Sequence, residues 1–285
     1  MDSEGGSQDL IARLVMDHLT KFPYTNIQLF SQGCLDREKR KTPDIFYHPP
    51  CYCLQHNEYM RKELLSNGFD DIKRMSALVV NSFEGEGDEN ILSDTLIAHD
   101  VLFVNGEYIV DVGFSSNSLR GPLRFRGIEE EVRLQHDSYK FKHCVGFKHY
   151  TQADVEWWGV HVLVGTKWLE LWRFPIGLEL DDSGVHELNE SLTHSTKPVG
   201  IRDSKFLVAK VTPTTRECIF AFKGAKEKPV LKLLSVPTAE GSEGGGGRST
   251  ELDTWEEFTA ALREYFDQPP PPDVVRQCFY SDSCG

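Results

Sequence analysis

Apolar residues near the start of the chain recur at the spacing of an α-helix. Between residues 9 and 21 they form a single stripe, which consists of Leu10, Ile11, Leu14, Val15, His18 and Leu19. This first helix must end before Pro23, because a residue that precedes proline disfavours the helical conformation. A second helix is predicted from about Tyr52 to Ser66, followed by the C-cap signal Asn67-Gly68. Its stripe consists of Cys53, Asn57, Met60 and Leu64.

Later in the chain the period of the apolar residues changes to two, which is typical of β-strands. Segment 95–114 predicts a hairpin that turns at Asn105-Gly106, and 155–174 predicts a tryptophan-rich hairpin around Gly165-Thr166. Further strands are predicted at 205–211, 217–223 and 229–235. An amphipathic helix follows at 254–266, and the four prolines after it predict an extended tail. Helices, then antiparallel strands, then a mixed end together predict an α+β fold.

Length and charge then narrow the possible functions. The 285 residues exceed one average domain and suit two or three small domains or one large composite fold. The net charge of −13 argues against binding to nucleic acid or anionic membranes, since both need a basic surface. The acidic start, "MDSEGGSQD", lacks the features of a signal peptide, and no apolar run of about 18 residues exists. We therefore expect a cytoplasmic protein with no nucleic-acid or membrane partner.

The seven cysteines are odd in number and scattered, which favours reduced thiols over a disulfide framework. They stand at positions 34, 51, 53, 144, 218, 278 and 284. Two of them are one residue apart in "HPPCYCLQHN", residues 48–57. Zinc needs about four ligands, usually as two close pairs, and Cys51 and Cys53 have no second pair. His48 and His56 are near in sequence but belong to different backbone types, so we expect no metal.

A nucleophile is the better-supported role for one of these two thiols. Pro49-Pro50 forbids a helix before Cys51, so the helix opens at Tyr52 or Cys53. A cysteine in the first turn faces unpaired backbone N–H groups and the positive end of the helix dipole, which both favour the thiolate. Cys51 lies outside the helix and gains less. The alternative is a buried cysteine that acts only as a small hydrophobic residue.

The hairpin at 95–114 carries two polar side chains, His99 and Asp111, in otherwise apolar strands, where they need partners. A two-residue turn at Asn105-Gly106 would leave them on opposite faces of the hairpin. A three-residue turn, Val104 to Gly106 with Gly106 left-handed, would place His99 directly across from Asp111. Such a pair fixes the tautomer and orientation of an imidazole, as in a catalytic triad. A core His–Asp pair without chemistry remains the alternative.

Several segments, taken in order, resemble motifs of the arylamine N-acetyltransferase family. "YCLQHN", "AHDVLF" and "YIVDVGF…GPLRF" resemble its cysteine, histidine and aspartate motifs. Upstream, "FPYTN" (22–26) resembles its Pro-Phe-Glu-Asn segment. Downstream, "WLELWRF", "ELNESLTHSTKP", "SKF" and "FTAALREYF" resemble segments that follow in the family. The resemblance covers most of residues 10–266, and the ordered set is more specific than any single motif.

The resemblance places the family's catalytic triad on Cys53, His99 and Asp111. It implies an α+β fold with a cysteine-proteinase-like core. The implied units are a helical domain with the cysteine (1–75), an antiparallel β-barrel domain with the histidine and aspartate (76–185), and an α/β lid with a C-terminal tail (186–285).

The resemblance also implies the substrates. Acetyl-CoA would be the acyl donor, with Gly113, Ser195 and Thr196 beside its thioester. Tyr24 and Phe114 would line the pocket of an arylamine or hydrazine acceptor. The implied reaction is a ping-pong N-acetylation through an acetyl-cysteine, carried out by a monomer.

The chain departs from the family pattern just before the cysteine. The family's Arg-Gly-Gly is here Pro49-Pro50-Cys51, and the family glutamate after Pro-Phe is Thr25. That arginine and glutamate are expected to form an ion pair in relatives. Loss of one buried partner costs about 3–5 kcal/mol, whereas loss of both can be nearly neutral. The double change therefore indicates compensated divergence. Three alternatives to acetyl transfer remain: an amide synthase-like acyltransferase, a papain-like hydrolase, and a catalytically silent binding homologue.

Overall fold

The structure is a computed structural model that describes residues 3–83, 99–144, 155–196, 200–223, 229–237 and 248–280. Its first part is helical and contains α1 (Ser3–Lys21), the short strand β1 (Tyr24–Thr25), α2 (Ile27–Gly33), a 3-10 turn (Arg37–Lys39) and α3 (Cys53–Ser66). Both predicted N-terminal helices are present, and α1 begins earlier than the apolar stripe alone indicates. No helix among the described residues has the length and apolar character needed to cross a membrane.

An eight-stranded antiparallel sheet forms the middle of the protein. Its strands are β2 (Ile72–Phe83), β3 (His99–Val104), β4 (Tyr108–Val110), β5 (Leu123–Arg124), β6 (Glu130–Leu134), β7 (Asp137–Cys144), β8 (Trp157–Val164) and β9 (Lys167–Pro175). The order β5-β4-β3-β2-β9-β8-β7-β6 brings β5 near β6, so the sheet is a nearly closed barrel. Its interior is aromatic, and the ring of Phe125 meets Phe141, Trp158 and Phe174 edge-on. The α+β fold class is thereby confirmed.

A second antiparallel sheet follows, with helices around it. Its elements are α4 (Asp182–His194), α5 (Gly200–Asp203), β10 (Lys205–Val211), β11 (Thr215–Lys223), β12 (Pro229–Pro237), β13 (Arg248–Leu252), α6 (Trp255–Phe266) and α7 (Asp273–Tyr280). The N-terminal strand β1 joins the edge of this sheet, where Tyr24 pairs with Ala209. The beginning of the chain is thus bonded to its last third. The predicted domain boundaries at 75/76 and 185/186 stay predictions.

The end of the chain differs from the predicted extended tail. After the prolines, α7 folds back onto α2, and the ring of Phe279 stacks on Phe30 with centroids 5.1 Å apart. Val275, Cys278 and Phe279 are buried at helical spacing, a stripe that the neighbouring prolines obscured. Proline is compatible with the first turn of a helix, so a proline run does not exclude one directly after it. Strand β13 was also missed, because it closely follows a glycine-rich tract.

The register of the β3–β4 hairpin differs from the predicted one. Val104 pairs with Tyr108, so the turn consists of residues 105–107 and His99 is not directly across from Asp111. Asn105 and Gly106 both adopt a left-handed conformation, with φ of 54° and 64°. Asparagine tolerates this conformation, which moves the turn one residue later than a single left-handed glycine would. The parity is unchanged, so His99 and Asp111 still share a face. The predicted Gly165-Thr166 turn is confirmed by the Val164–Lys167 pair.

Helices α1 and α3 meet through two buried histidines. The Nε2 atom of His18 lies 2.9 Å from Nδ1 of His56, and the His56 ring stacks on Tyr24. Burial is the main reason that the pKa of each imidazole lies below its usual value, at about 4 for His56. Both rings are therefore neutral at pH 7.

We expect this pair to make the protein acid-sensitive. As pH falls from about 6.5 towards 4, these histidines bind protons in the unfolded chain but stay neutral in the folded protein. The free energy of unfolding then falls by up to ~1.4 kcal/mol per pH unit for each histidine. His18→Gln and His56→Gln should each flatten this dependence, measured as melting temperature between pH 7 and 5. The exposed His136 supplies the control, His136→Gln. Unfolding as steeply acid-dependent in both variants as in the wild type would contradict the assignment.

Candidate active site

Cys53 is the first residue of α3, one of the two helix starts that the Pro-Pro sequence predicted. Tyr52 before it is extended, with φ of −115° and ψ of 177°, and serves as the N-cap. The Oε1 atom of Gln55 accepts hydrogen bonds from the backbone N–H groups of Cys51 at 2.9 Å and Tyr52 at 3.4 Å. The side chain of Gln55 therefore holds the turn that bears the thiol. Cys53 is only 4% exposed and lies at the positive end of the helix dipole.

The hairpin brings an imidazole and a carboxylate to this thiol. His99 is the first residue of β3, and Asp111 directly follows β4. The Nε2 atom of His99 lies 2.8 Å from Oδ2 of Asp111, and both side chains are buried. The Cys53 side chain lies close enough to the imidazole of His99 to raise the pKa of that ring. The three residues predicted as a catalytic triad are thus in contact in the order thiol, imidazole, carboxylate.

The environment of His99 favours its charged form. Burial is the largest single influence on the pKa of this imidazole and lowers it. The charge and the hydrogen bond of Asp111, together with Cys53, outweigh burial, so the pKa lies well above its usual value. An imidazolium beside a thiol stabilises the thiolate, which is the nucleophilic form of cysteine.

The neighbouring Cys51 has a different environment. Burial raises the pKa of its thiol to about 11, so the group is neutral at pH 7. Its Sγ atom donates to the Pro49 carbonyl at 3.6 Å rather than to an imidazole. Of the two thiols, only Cys53 has the partners of a nucleophile.

Asn57, one helical turn after Cys53, is a site residue whose role the sequence analysis missed. Its Nδ2 atom donates to the Asp100 carbonyl at 2.7 Å and to Oδ1 of Asp111 at 3.3 Å. Its Oδ1 atom accepts from the backbone N–H of Val112 at 3.1 Å. One amide therefore ties α3 to both strands of the hairpin. The signal was present, because Asn57 is a polar residue within an apolar helical stripe.

A buried ion network continues from this point. Arg74 donates to Oδ2 of Asp100 at 2.6 Å and to Oε2 of Glu58 at 3.0 Å. All three side chains are at least nine-tenths buried. Glu58 also accepts a hydrogen bond from Nε of Arg61 at 2.9 Å. The network connects α3 with β2 and β3, and removal of one member would leave a buried charge without its partner.

Gly113 packs directly on the backbone of the thiol residue. A Cβ atom at this position would lie 2.7 Å from the Cys53 carbonyl oxygen and 2.8 Å from its Cα. The backbone N–H of Gly113 donates to Oδ1 of Asp111 at 3.0 Å. The close approach of these backbones therefore requires glycine.

The other predicted binding residues lie at different distances from the three groups. The half-buried ring of Phe114 is 5.1 Å from the His99 ring, centroid to centroid. Tyr24 is buried in the same apolar cluster as Cys53. Ser195 and the exposed Thr196 follow the last residue of α4.

Helix α4 is linked to the thiol-bearing turn by a buried hydrogen bond. The hydroxyl of Tyr52 donates to Oδ1 of Asn189 at 2.6 Å. Ser195 lies about 9 Å further along the helix from Asn189. The donor-binding role of Ser195 and Thr196 stays a prediction.

The place where relatives are expected to carry an ion pair is held by other bonds here. The backbone N–H of Thr25 donates to the Cys51 carbonyl at 2.8 Å, and the Thr25 hydroxyl accepts from Ile27 N–H at 3.3 Å. Both Thr25 and Cys51 are buried.

Within the described residues, no group of three or more His, Cys, Asp or Glu side chains could hold a metal ion.

Comparisons with known proteins identify the family. A family model described as N-acetyltransferase matches residues 8–268. The chain belongs to the arylamine N-acetyltransferase family. It is accordingly an acyltransferase. A search among curated proteins found no match.

Solved arylamine N-acetyltransferases share the fold. The enzyme of Mycobacterium smegmatis is 18% identical with a TM-score of 0.68, covering 97% of this chain and 93% of that one. The enzyme of Nocardia farcinica is 14% identical with a TM-score of 0.70, covering 97% and 88%. The Mycobacterium marinum enzyme in complex with CoA is 17% identical with a TM-score of 0.65, covering 96% and 91%.

Gly113→Ala should impair this family member by displacing the thiol. The new methyl group would meet backbone atoms of Cys53, so the helix start or the following loop must shift. A displacement of about 1 Å near reacting groups can lower activity about 10²-fold. Steady-state turnover of an acyl donor measures the effect. The control is Gly6→Ala, where a methyl group meets open space. Wild-type turnover by Gly113→Ala would show that the contact is not needed.

Asp111→Asn should remove the charge that keeps His99 protonated. Burial would then dominate and the pKa of His99 would fall, so a neutral ring would face the thiol at pH 7. We expect kcat to fall about 10⁴-fold. The rate of Cys53 alkylation by iodoacetamide at pH 6 to 8 reports the loss of thiolate. Asp100→Asn is the control, because it alters a neighbouring buried carboxylate and should lower stability without changing the pH profile. The role of Asp111 would be refuted if the alkylation rate depended on pH identically in the wild type, Asp111→Asn and Asp100→Asn.

Proposed function

We propose that the protein transfers the acetyl group of acetyl-CoA to an arylamine or hydrazine through an acetyl-Cys53 intermediate. The observation that carries this proposal is the buried contact of Cys53, His99 and Asp111 at the start of a helix. Membership of the arylamine N-acetyltransferase family supports it. A similar fold has been solved with CoA bound, which supports CoA as the carrier of the acyl group.

In the first half-reaction the thiolate of Cys53 attacks the acetyl carbonyl carbon of acetyl-CoA. The positive N-terminal end of the α3 dipole stabilises the oxyanion. The bond between the carbonyl carbon and the sulfur of CoA breaks, and His99 supplies a proton to the departing thiolate. Asp111 holds the imidazole in the orientation that both transfers need.

In the second half-reaction a neutral amine attacks the thioester of acetyl-Cys53. His99 takes the proton of the amine, and Cys53 leaves as a thiolate when the amide forms. Weakly basic arylamines suit this step, because they remain neutral and nucleophilic at pH 7. The donor and the acceptor use the same thiol in turn, which gives ping-pong kinetics.

The remaining predicted residues take supporting roles in this proposal. Gly113, Ser195 and Thr196 are assigned to acetyl-CoA, and Tyr24 and Phe114 to the acceptor. Phe114 has the most direct support, because its ring lies against His99. The reaction requires no metal, and we propose that a monomer carries it out.

The intermediate can be tested by intact mass spectrometry. After incubation with acetyl-CoA alone, we expect the mass to rise by one acetyl group, located by peptide mapping on Cys53. A panel of arylamines and hydrazines should remove the adduct and release the N-acetyl product. Cys53→Ser should lose turnover by at least about 10³-fold. Cys51→Ser is the matched control and should keep the adduct.

Other results would select a different function. An adduct on Cys51, or full turnover by Cys53→Ser, would exclude the proposed nucleophile. An acetyl-enzyme that hydrolyses rapidly without amine would indicate a hydrolase. Labelling by acyl-carrier thioesters but not acetyl-CoA would indicate an amide synthase-like enzyme. No acyl transfer from any donor would indicate a silent homologue.

A further inference from the structure

The segment after Asp111 forms a closed loop beside the imidazole. Residues 112–118 are here called the 112–118 loop. A hydrogen bond between the residues that flank it closes the loop, because the backbone carbonyl of Asp111 accepts the N–H of Leu119 at 2.8 Å. Phe114 on this loop lies against His99. The conformation of the loop therefore determines the position of the Phe114 ring against the imidazole of His99.

The loop contains a strained residue. Ser115 has a φ of 58°, in the left-handed region that disfavours side chains other than glycine. Such a residue costs about 1–2 kcal/mol and persists when its surroundings hold it. Ser118 supplies one restraint, since its hydroxyl donates to the Ser115 carbonyl at 2.9 Å.

A second restraint comes from the other sheet. Arg216 on β11 donates through Nη1 to the carbonyls of Ser116 at 2.5 Å and Ser118 at 2.9 Å. Its Nη2 atom donates to Oδ2 of Asp137 at 2.5 Å and to the hydroxyl of Tyr139 at 2.9 Å. Arg216 is only 8% exposed. One planar guanidinium thus joins the loop, the barrel strand β7 and the second sheet.

Charge explains why the guanidinium needs the loop. Asp137 also accepts Arg120 at 2.9 Å, so one carboxylate faces two buried arginines. The remaining positive charge must be stabilised by neutral acceptors. Arg120 uses the carbonyls of Thr212 and Thr215 for this purpose, whereas Arg216 uses those of the 112–118 loop.

We propose that Arg216 is a positioning residue that fixes the 112–118 loop, so that Phe114 forms a wall of the acceptor pocket over His99 and selects among aromatic amines. This inference rests on the proposed acetyl transfer. Arg216 bonds to the carbonyls of Ser116 and Ser118, after Phe114 in the loop. Gly113, which is assigned to acetyl-CoA, is held separately by Asp111. We therefore expect Arg216 to act in the second half-reaction.

Arg216→Lys keeps the charge and loses the fork that holds both carbonyls. We expect the KM for arylamines to rise about tenfold, with a changed order of preference among small and bulky amines. The rate of acetyl-Cys53 formation from acetyl-CoA alone should stay within about twofold of the wild type. Tyr139→Phe removes one partner of Arg216 and should shift the KM in the same direction by less. It keeps the inference testable if Arg216→Lys does not fold.

The matched control is Arg120→Lys, which alters the same Asp137 network without touching the loop. An equal rise in KM for Arg120→Lys would reduce Arg216 to a structural role. An unchanged KM and preference order in folded Arg216→Lys and Tyr139→Phe proteins would overturn the inference. Failure of the wild type to form acetyl-Cys53 would instead refute the proposed function, so the two failures are distinguishable.

Discussion

The charge on Asp111 opposes the burial of His99, and the chemistry of the site depends on that balance. A buried imidazole normally loses its proton, because the interior cannot solvate the charged form. Here the carboxylate, 2.8 Å away, reverses the direction and raises the pKa. The two buried histidines of the α1–α3 contact show the opposite case, since no carboxylate among the described residues hydrogen-bonds to them and their pKa values are lowered. The same side chain is thus charged or neutral according to one neighbour.

Three segments donate hydrogen bonds to the buried carboxylate of Asp111. His99 binds one oxygen, while Gly113 N–H and Asn57 bind the other. A buried polar group without such partners is strongly destabilising. Asn57 also bonds to the carbonyl of Asp100 in β3, so one amide on α3 helps to position both the hairpin and the carboxylate. This explains a polar residue at a fully buried helical position.

Local sequence rules predicted the parts of the site that depend on backbone geometry. Two prolines before Cys51 predicted a helix start at Tyr52 or Cys53, and the helix begins at Cys53. Strand parity correctly placed His99 and Asp111 on one face. The exact register was wrong, because two consecutive left-handed residues, Asn105 and Gly106, moved the three-residue turn one residue later. Helix α7 was missed since its apolar stripe follows directly on four prolines. Local patterns could not predict the Tyr52–Asn189 bond, which joins residues 137 apart in sequence.

These long-range bonds give the second sheet and α4 a direct part in the site. The 112–118 loop is bonded to the hairpin at Asp111 and to β11 at Arg216. The thiol-bearing turn is bonded to α4 through Tyr52, and β1, which carries Tyr24, is a strand of the second sheet. Movement of that sheet would therefore displace the residues around His99 and Cys53 together. Cys53, His99 and Asp111 belong to α3 and the barrel, whereas bonds from the second sheet and α4 hold the residues around them.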